Sequence, residues 1–383
     1  MVYSFCRSDR GEPMVAETQI DAVRVPMAHT GDVCELDLLL TDGRLHPDDV
    51  IAVTGKVEDS NTGGNSRVDA DHAVRRFLAE RGTRSEPEIG TIPMVFTTGG
   101  VGILTPHLVV YSRSRAEPAP DGGPRLAVGT ARSARMLPQW TGTARVIEAN
   151  ADAVRAAADD AGLLPEQTEY VVGKAYHPSQ QALAAARAAG KDIDALDDDT
   201  LFRKTSGSAA LGVAVATHEL ALPSGNQVGV EPGLWSGRAC ISANAWEPVG
   251  GNGPDTQLIL MGNRPGAGGR LRVGRAVIGD LLDVDALPRA LRRAGLEVGP
   301  GPLTADQRAR VIAVYVKIGL PPDGLLRGRR QVIESPSYSG EVKIAAGAMF
   351  AGWLQDTMIY LSGSASHQGP PGGGTLAVIV DVS

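Results

Sequence analysis

The chain has 383 residues, 43% of them hydrophobic and 21% charged, a composition typical of a globular protein with room for two or three domains. A net charge of -7 without a basic stripe argues against a nucleic-acid partner. No run of about 18 apolar residues predicts a membrane span, the N-terminus lacks a signal-peptide core, and three cysteines make no disulfide framework. We therefore expect a cytoplasmic protein with no membrane partner.

In chain order, the first informative pattern is the placement of lysine. Only six lysines occur among the 37 basic residues, and three of them end apolar, strand-like runs. These runs are VIAVTGK ending at Lys56, YVVGK ending at Lys174 and RVIAVYVK ending at Lys317. Their spacings of 118 and 143 residues are too long for a solenoid and indicate duplicated domains.

A second apolar run follows each lysine and ends in small, nucleophilic residues. These runs are IPMVFTTGG, RACISANA and MIYLSGSAS, and the residues of interest in them are Thr97, Thr98, Cys240, Ser242, Ser362 and Gly363. A further strand-like run, LVVYSR, TQLILMG or TLAVIVDV, closes each third of the chain. Each third therefore brings a lysine and a nucleophile to strand ends.

Helical segments separate the strands. Helical spacing and good helix formers mark ADHAVRRFLAERG, ADAVRAAADDAGL, SQQALAAARAAGK, VDALPRALRRAGL and EVKIAAGAMFAGWL. Proline and glycine cluster at 116–124 and 263–269, where we place linkers. The predicted organisation is an extension (1–17) followed by three similar α/β domains (18–118, 119–267 and 268–383), arranged around a pseudo-threefold axis with one central pocket.

Several segments of this chain together resemble one known family, the ring-opening amidohydrolases that include cyanuric acid hydrolase and barbiturase. The segments are HTGDVCELDLLLTDGRLHPDDVIAVTGKVE, GGVGILTPH, LAVGTARSARMLPQWTG, SAALGVAVA, DGLLRGRR and SASHQGPPGGG. The resemblance runs from about residue 18 to the end. It implies three α/β domains around a pseudo-threefold axis, a homotetramer, and a lysine, an arginine and a serine from each domain around a ring-shaped substrate.

Residue by residue, the resemblance implies that Lys56, Lys174 and Lys317 are the three lysines. The serine positions of the first and third domains fall on Thr97 and Ser362. The middle serine lies in a segment that the family writes as Arg-Ala-Ser-x-Ser, so the nucleophile position is assigned to Cys240.

The arginine positions diverge more. Arg67 matches the first arginine, whereas the second falls on Ser206, beside Gly207, and the third falls on Gly340. Arg203, Lys204 and Lys343 are nearby charges that could substitute, although the register does not favour them. Because an arginine fork suits a ring carbonyl, the losses indicate a substrate other than cyanuric acid, larger or less polar.

A cysteine beside a lysine ammonium favours the thiolate, so the sequence predicts an ion pair of Cys240 with Lys174 that attacks a carbonyl and forms a thioester. The leading hypothesis is a hydrolase of cyclic amides acting on a small molecule with a reactive carbonyl. A thioester also permits an acyltransferase or cyclase, and loss of arginines leaves a non-catalytic binding protein open. A lone cysteine is, moreover, more often a buried small hydrophobe than a nucleophile.

The resemblance also implies a structural divalent cation at the glycine-rich loop Gln368–Gly374, helped by a glutamate two residues after the third lysine. That position is Gly319 in this chain. We therefore expect no cofactor and assign no metal ligand, and we leave a cation at this loop open.

Overall fold

Three four-stranded sheets organise the chain, and each is built from one of the predicted thirds. The structure is a computed structural model that describes residues 18–58, 66–98, 102–243, 254–331 and 339–383. The predicted N-terminal extension lies outside these residues.

The first third, repeat A, contains four strands and three helices. They are β1 Thr18–Pro26, α1 Cys34–Thr41, β2 Val50–Lys56, α2 Ser66–Arg81, α3 Glu86–Thr91, β3 Met94–Thr97 and β4 His107–Arg115.

The middle third, repeat B, has the same plan with longer helices. Its elements are β5 Arg125–Arg132, α4 Ala144–Ala161, β6 Thr168–Ala175, α5 Gln180–Ala188, α6 Asp198–Ala216, β7 Ala239–Ala243 and β8 Gln257–Arg264.

The last third, repeat C, adds a small hairpin to that plan. Its elements are β9 Leu271–Ile278, α7 Ala286–Arg293, α8 Ala305–Ala309, β10 Val311–Ile318, β11 Leu325–Leu326, β12 Arg329–Arg330, α9 Ser339–Leu354, β13 Tyr360–Ser362 and β14 Gly374–Asp381.

The strand order is the same in all three sheets. Their orders are β1-β4-β2-β3, β5-β8-β6-β7 and β9-β14-β10-β13. Counting only the four strands of each sheet in chain order, the first strand pairs with the fourth, the fourth with the second, and the second with the third. The second and third strands are parallel, and the other neighbours are antiparallel. This threefold recurrence of one topology confirms the predicted α/β repeats. The proposed divisions at 118 and 267 fall between β4 and β5 and between β8 and β9.

Each sheet has one face toward the molecular centre and one toward its own helices. The central cluster draws buried side chains from every sheet, among them Tyr111, Tyr170 and Tyr315. Three outer clusters hold the helices of each repeat against the other face. Because side chains alternate along a strand, one face of each sheet lines the shared centre and the other anchors the helices.

Glycine sets the distance between sheet and helix in two repeats. A Cβ on Gly129 of β5 would lie 1.9 Å from the carbonyl oxygen of Ala157 in α4. A Cβ on Gly274 of β9 would lie 2.3 Å from the carbonyl oxygen of Ala290 in α7. These contacts are with helix backbone, which no side-chain rotation relieves, so a glycine is required at both positions.

We expect Gly129→Ala to lower the free energy of unfolding by about 1–3 kcal/mol, because α4 must move off the sheet. Gly90→Ala is the matched control: a Cβ there meets nothing within 4 Å, and the residue lies in α3. Alanine at residue 90 should be neutral or slightly stabilising. Urea unfolding followed by circular dichroism measures both, and equal stabilities would contradict the close packing.

Candidate active site

Three lysine–hydroxyl pairs lie at equivalent ends of the three sheets. In the parallel pairing of second and third strands, Lys56 lies opposite Thr97, Lys174 opposite Ser242, and Lys317 opposite Ser362. Neighbouring strands are about 4.8 Å apart, so each amine-bearing side chain emerges beside a hydroxyl. All six residues are at least 93% buried.

Cys240, which the sequence assigns to the nucleophile position, does not lie opposite Lys174 in the strand register. Cys240 pairs with Val172, two residues before the lysine. Its counterparts in the other repeats are Val95 and Tyr360, and all three side chains belong to the central cluster. The residue equivalent to Thr97 and Ser362 is therefore Ser242, which the sequence analysis places only among the substrate-binding residues.

The surroundings of the thiol also oppose the expected thiolate. The Cys240 side chain is 1% exposed, and burial raises the pKa of the thiol to about 11, although the Lys317 and Lys174 amines act in the opposite direction. The sulfur lies 4.0 Å from the carbonyl oxygen of Val316. At neutral pH the group is a protonated thiol in a hydrophobic cluster, as expected for a buried small residue.

Lys174 is the amine best suited to act as a base. Its side chain is only 6% exposed, and within the described part of the chain it makes no hydrogen bond or ion pair. Burial lowers its pKa well below the usual 10.5, and the positive charges of Arg67, Lys317 and Lys343 lower it further. A buried amine whose pKa is lowered in this way is more readily available to accept a proton.

The other two lysines are held by hydrogen bonds, one of which crosses from repeat A to repeat C. The Lys56 amine donates to the carbonyl of Thr98 at 2.9 Å and to that of Leu361 in repeat C at 3.1 Å. The Lys317 amine donates to the Ser362 hydroxyl at 3.1 Å, and burial lowers the pKa of this lysine to about 7.

The hydroxyls of Ser362 and Ser242 are 2.8 Å apart and share a hydrogen bond. The Lys317 amine, Ser362 and Ser242 thus form one chain that ends at the hydroxyl beside Lys174.

The remaining predicted site residues fall into two groups. Arg67, the second residue of α2, is half-buried, and its charge acts on Lys174. Gly363 is buried directly after Ser362. Ser206 instead lies within α6, where its hydroxyl donates to the carbonyl of Phe202 at 2.7 Å. Gly207 allows close packing on repeat C, because a Cβ there would lie 2.7 Å from the His367 ring.

Lys343 is a site residue that the sequence offers only as a nearby charge outside the arginine register. It lies in the first turns of α9, and its amine donates to the carbonyl of Thr98 at 3.2 Å, the carbonyl that also accepts from Lys56. The signal was available in the sequence, because Lys343 is one of only six lysines. The register disfavours it as the arginine replacement, because Gly340, one turn earlier, occupies the position assigned to the arginine.

The glycine-rich loop of repeat C supports the edge of β7. The Gln368 side chain donates to the carbonyl of Ile241 at 2.9 Å and accepts from its N–H at 2.6 Å, as a neighbouring strand would. Ser236 and His367 continue this pairing, with a backbone hydrogen bond of 2.9 Å. The loop therefore holds the strand that carries Ser242.

The loop does not fit the divalent cation that the resemblance implies. Gly319 supplies no carboxylate, and the Gln368 oxygen accepts the Ile241 N–H. Across the described ranges, no three His, Cys, Asp or Glu residues form a group able to hold a metal ion. The sequence leaves this cation open, and the side chains at residues 319 and 368 do not supply its ligands.

A cavity of about 190 Å³ adjoins Lys56. Its wall is formed by apolar residues together with Lys56, which ends β2, and Glu58, which follows that strand. The lining residues are Met27, Ala28, Lys56, Val57, Glu58, Leu104 and Pro106. Over the residues described here, no helix is both long and apolar enough to cross a bilayer.

Three buried lysine–hydroxyl pairs at equivalent ends of three similar sheets form an arrangement in which an amine can activate a hydroxyl as a nucleophile. Residues 21–381 match the family model described as amidohydrolase ring-opening protein. Barbiturase 1 of Nocardioides sp. is 34% identical over 95% of this chain and 99% of its own length. A cyanuric acid amidohydrolase of Bradyrhizobium diazoefficiens is 31% identical over 96% and 99%. A solved cyanuric acid hydrolase superposes with a TM-score of 0.85 at 28% identity, covering 95% of this chain and all of that one.

The chain belongs to the ring-opening amidohydrolase family. It is thus a hydrolase of the kind that opens cyclic amides, and the expected fold, enzyme class and family are confirmed.

Alkylation tests the state of the Cys240 thiol. With a pKa of about 11, roughly one thiol in a thousand is ionised at pH 8, and burial hinders access further. We expect iodoacetamide to label the exposed Cys34 in the native protein and to label Cys240 only after denaturation. Peptide mass mapping at several times measures both rates. Labelling of Cys240 as fast as Cys34 would restore the thiolate hypothesis.

Proposed function

We propose that the protein hydrolyses a cyclic imide or cyclic amide with Ser242 as nucleophile and Lys174 as general base. The observation that supports this proposal most strongly is that Lys174 lies directly opposite Ser242 in the parallel pairing of β6 and β7. The Lys174 amine is buried and has no hydrogen-bond partner in the described chain. Serine needs a base to become a nucleophile, and a desolvated lysine provides one.

The first half of the reaction opens the ring. The neutral Lys174 amine takes the proton from the Ser242 hydroxyl as its oxygen bonds to a ring carbonyl carbon. The tetrahedral intermediate then collapses, the carbon–nitrogen bond of the ring breaks, and the Lys174 ammonium returns the proton to the departing nitrogen. The product of this half is an acyl ester on Ser242 with the opened ring attached.

The second half releases the product. Lys174 takes a proton from a water molecule, the hydroxide adds to the ester carbonyl, and the Ser242 oxygen leaves and recovers the proton from the lysine. The nearby positive charge of Arg67, Lys317 and Lys343, which the pKa of Lys174 reflects, stabilises the negative charge that develops on the carbonyl oxygen in both halves.

The substrate class follows from the site and from the relatives together. The relatives are named for barbiturate and cyanuric acid, which are cyclic imides. In this chain, arginine is absent from the positions of Ser206 and Gly340, and a cavity lined by both apolar and polar residues adjoins Lys56. These features favour an imide ring with a substituent over a small symmetric ring. The homotetramer implied by the resemblance stays a prediction.

Acyl transfer or cyclisation is less well supported than hydrolysis. Those alternatives rest on a thioester at Cys240. That residue pairs with Val172, two residues before Lys174 in β6, so the thiol lies further from the strand end than the lysine. An ester on Ser242 passes less readily to amine or carbon acceptors than a thioester does, so water is the acceptor that fits this pair.

Substitution of the two candidate nucleophiles separates them. On any ring in a panel of barbiturate, cyanuric acid and substituted cyclic imides that the wild type opens, we expect Ser242→Ala to lower kcat by on the order of a thousandfold or more. Cys240→Ala should keep kcat within a few-fold. Product release by liquid chromatography measures both, with circular dichroism as the folding check. The reverse pattern would place the nucleophile at Cys240, and turnover of no ring by the wild type would contradict hydrolysis of this class.

The pH dependence of kcat/KM reports the protonation of the base. Protonated Lys174 accepts no proton, so the rate should fall about tenfold per pH unit below its pKa and become flat above it. Because that pKa is well below 10.5, the plateau should begin well before pH 10. Initial rates between pH 5 and 10 test this, with stability checked at each pH. A rate that rises tenfold per unit up to pH 10 would show an unperturbed lysine.

A further inference from the structure

Helices α2 and α9 occupy the same place in repeats A and C. Each lies between the second and third strands of its sheet, and each begins with serine, at Ser66 and Ser339. The second residue is Arg67 in α2 and Gly340 in α9. Residues three apart lie on the same face of a helix, so Lys343 presents its side chain on the face of Gly340, one turn later.

The amine of Lys343 lies among the site lysines. It donates to the carbonyl of Thr98 at 3.2 Å, and the Lys56 amine donates to the same oxygen at 2.9 Å. The positive charge of Lys343 acts on Lys174 and on Lys317, since it lowers the pKa of both. Basic side chains of all three repeats thus meet at one place, and α9 adds the Lys343 cation beside the Lys174 amine.

Packing between repeats fixes α9 in this position. A Cβ on Gly347 would lie 3.3 Å from Leu104 of repeat A, so the helix backbone and that side chain are in close contact. The segment after the helix is also held, because the Thr105 N–H donates to the carbonyl of Thr357 at 3.0 Å. Lys343 is therefore carried by a helix docked rigidly against the repeat that contains Thr98, as a precise binding residue requires.

We propose that Lys343 is a substrate-binding residue that holds a single anionic oxygen of the ring, as the counterpart in repeat C of Arg67 in repeat A. An arginine fork grips two acceptor atoms, whereas an ammonium group acts as a point charge for one. The site therefore selects a ring that presents one ionised oxygen to repeat C, such as an acidic cyclic imide bound as its monoanion. This inference rests on the proposed function for its substrate and on the contacts of Lys343 for its location.

Lysine scarcity makes the location directly measurable. Growth on lysine labelled with ¹³C at Cε gives a spectrum with signals from only six residues. Lys317 should titrate near pH 7, and in Lys343→Met its midpoint should rise because a neighbouring cation is gone. Lys191→Met, which removes an exposed lysine, is the matched control and should leave the midpoint unchanged. An unchanged Lys317 midpoint in Lys343→Met overturns the placement.

Barbiturate serves as the ligand probe, since it is a monoanion at neutral pH. Its addition should shift the Cε signal of Lys343 in the wild type and leave that of Lys191 in place. Lys343→Met should weaken its binding by roughly 10- to 100-fold, the range for loss of one charge-assisted hydrogen bond, and Lys343→Arg should recover most of that loss. Full affinity in a folded Lys343→Met overturns the binding role.

Kinetics on a ring that the wild type opens separates binding from a structural effect. We expect Lys343→Met to raise KM for ionised imides by roughly 10-fold or more, with a much smaller effect on a neutral cyclic amide of the same size. Equal losses for both rings overturn the selection of an anion. Because barbiturate binding and the lysine titration require no turnover, a failure of the proposed hydrolysis is distinguishable from a failure of this inference.

Discussion

Burial of lysine amines at the meeting point of three sheets is the constraint on which the rest of the structure depends. An isolated buried ammonium is strongly disfavoured, so each amine must find hydrogen-bond acceptors or lose its proton. Lys56 takes the first course by donating to two carbonyls. Lys317 combines both courses, with a hydroxyl partner and a pKa near 7. Lys174 has no partner in the described chain, and deprotonation is the response left to it.

The parallel pairing of second and third strands converts this constraint into chemistry. It places one hydroxyl beside each lysine, and the hydrogen bond between Ser242 and Ser362 joins two of these pairs. The loop after Ser362 then supports the strand that carries Ser242 through Gln368. Contacts from repeat C as well as repeat B therefore position the Lys174–Ser242 pair.

The sequence predicted the repeats and lysines well because long apolar runs that end in lysine are unusual. It did not predict the register of β7. Cys240 and Ser242 have the same alternation, and only the pairing with β6 distinguishes the core position from the strand-end position.

Helix α6 was missed for a different reason. Its centre, Thr205–Ser208, consists of weak helix formers whose hydroxyls donate back to helix carbonyls. The helix is stabilised instead by packing on α4, where a Cβ on Gly212 would lie 2.5 Å from Asn150. Such stabilisation comes from tertiary contact, which local sequence patterns do not contain.

The hydrogen bonds that cross between repeats have an evolutionary consequence. A trimer assembled from one short chain would carry the same residue at every symmetry-related position, so any substitution would change all three subsites at once. Here the three repeats are covalently joined, and Lys56 of one repeat still binds Leu361 of another. A single chain keeps the shared centre while allowing each repeat to differ. Arginine stands at residue 67 and glycine at residue 340, a difference that a symmetric homotrimer could not contain.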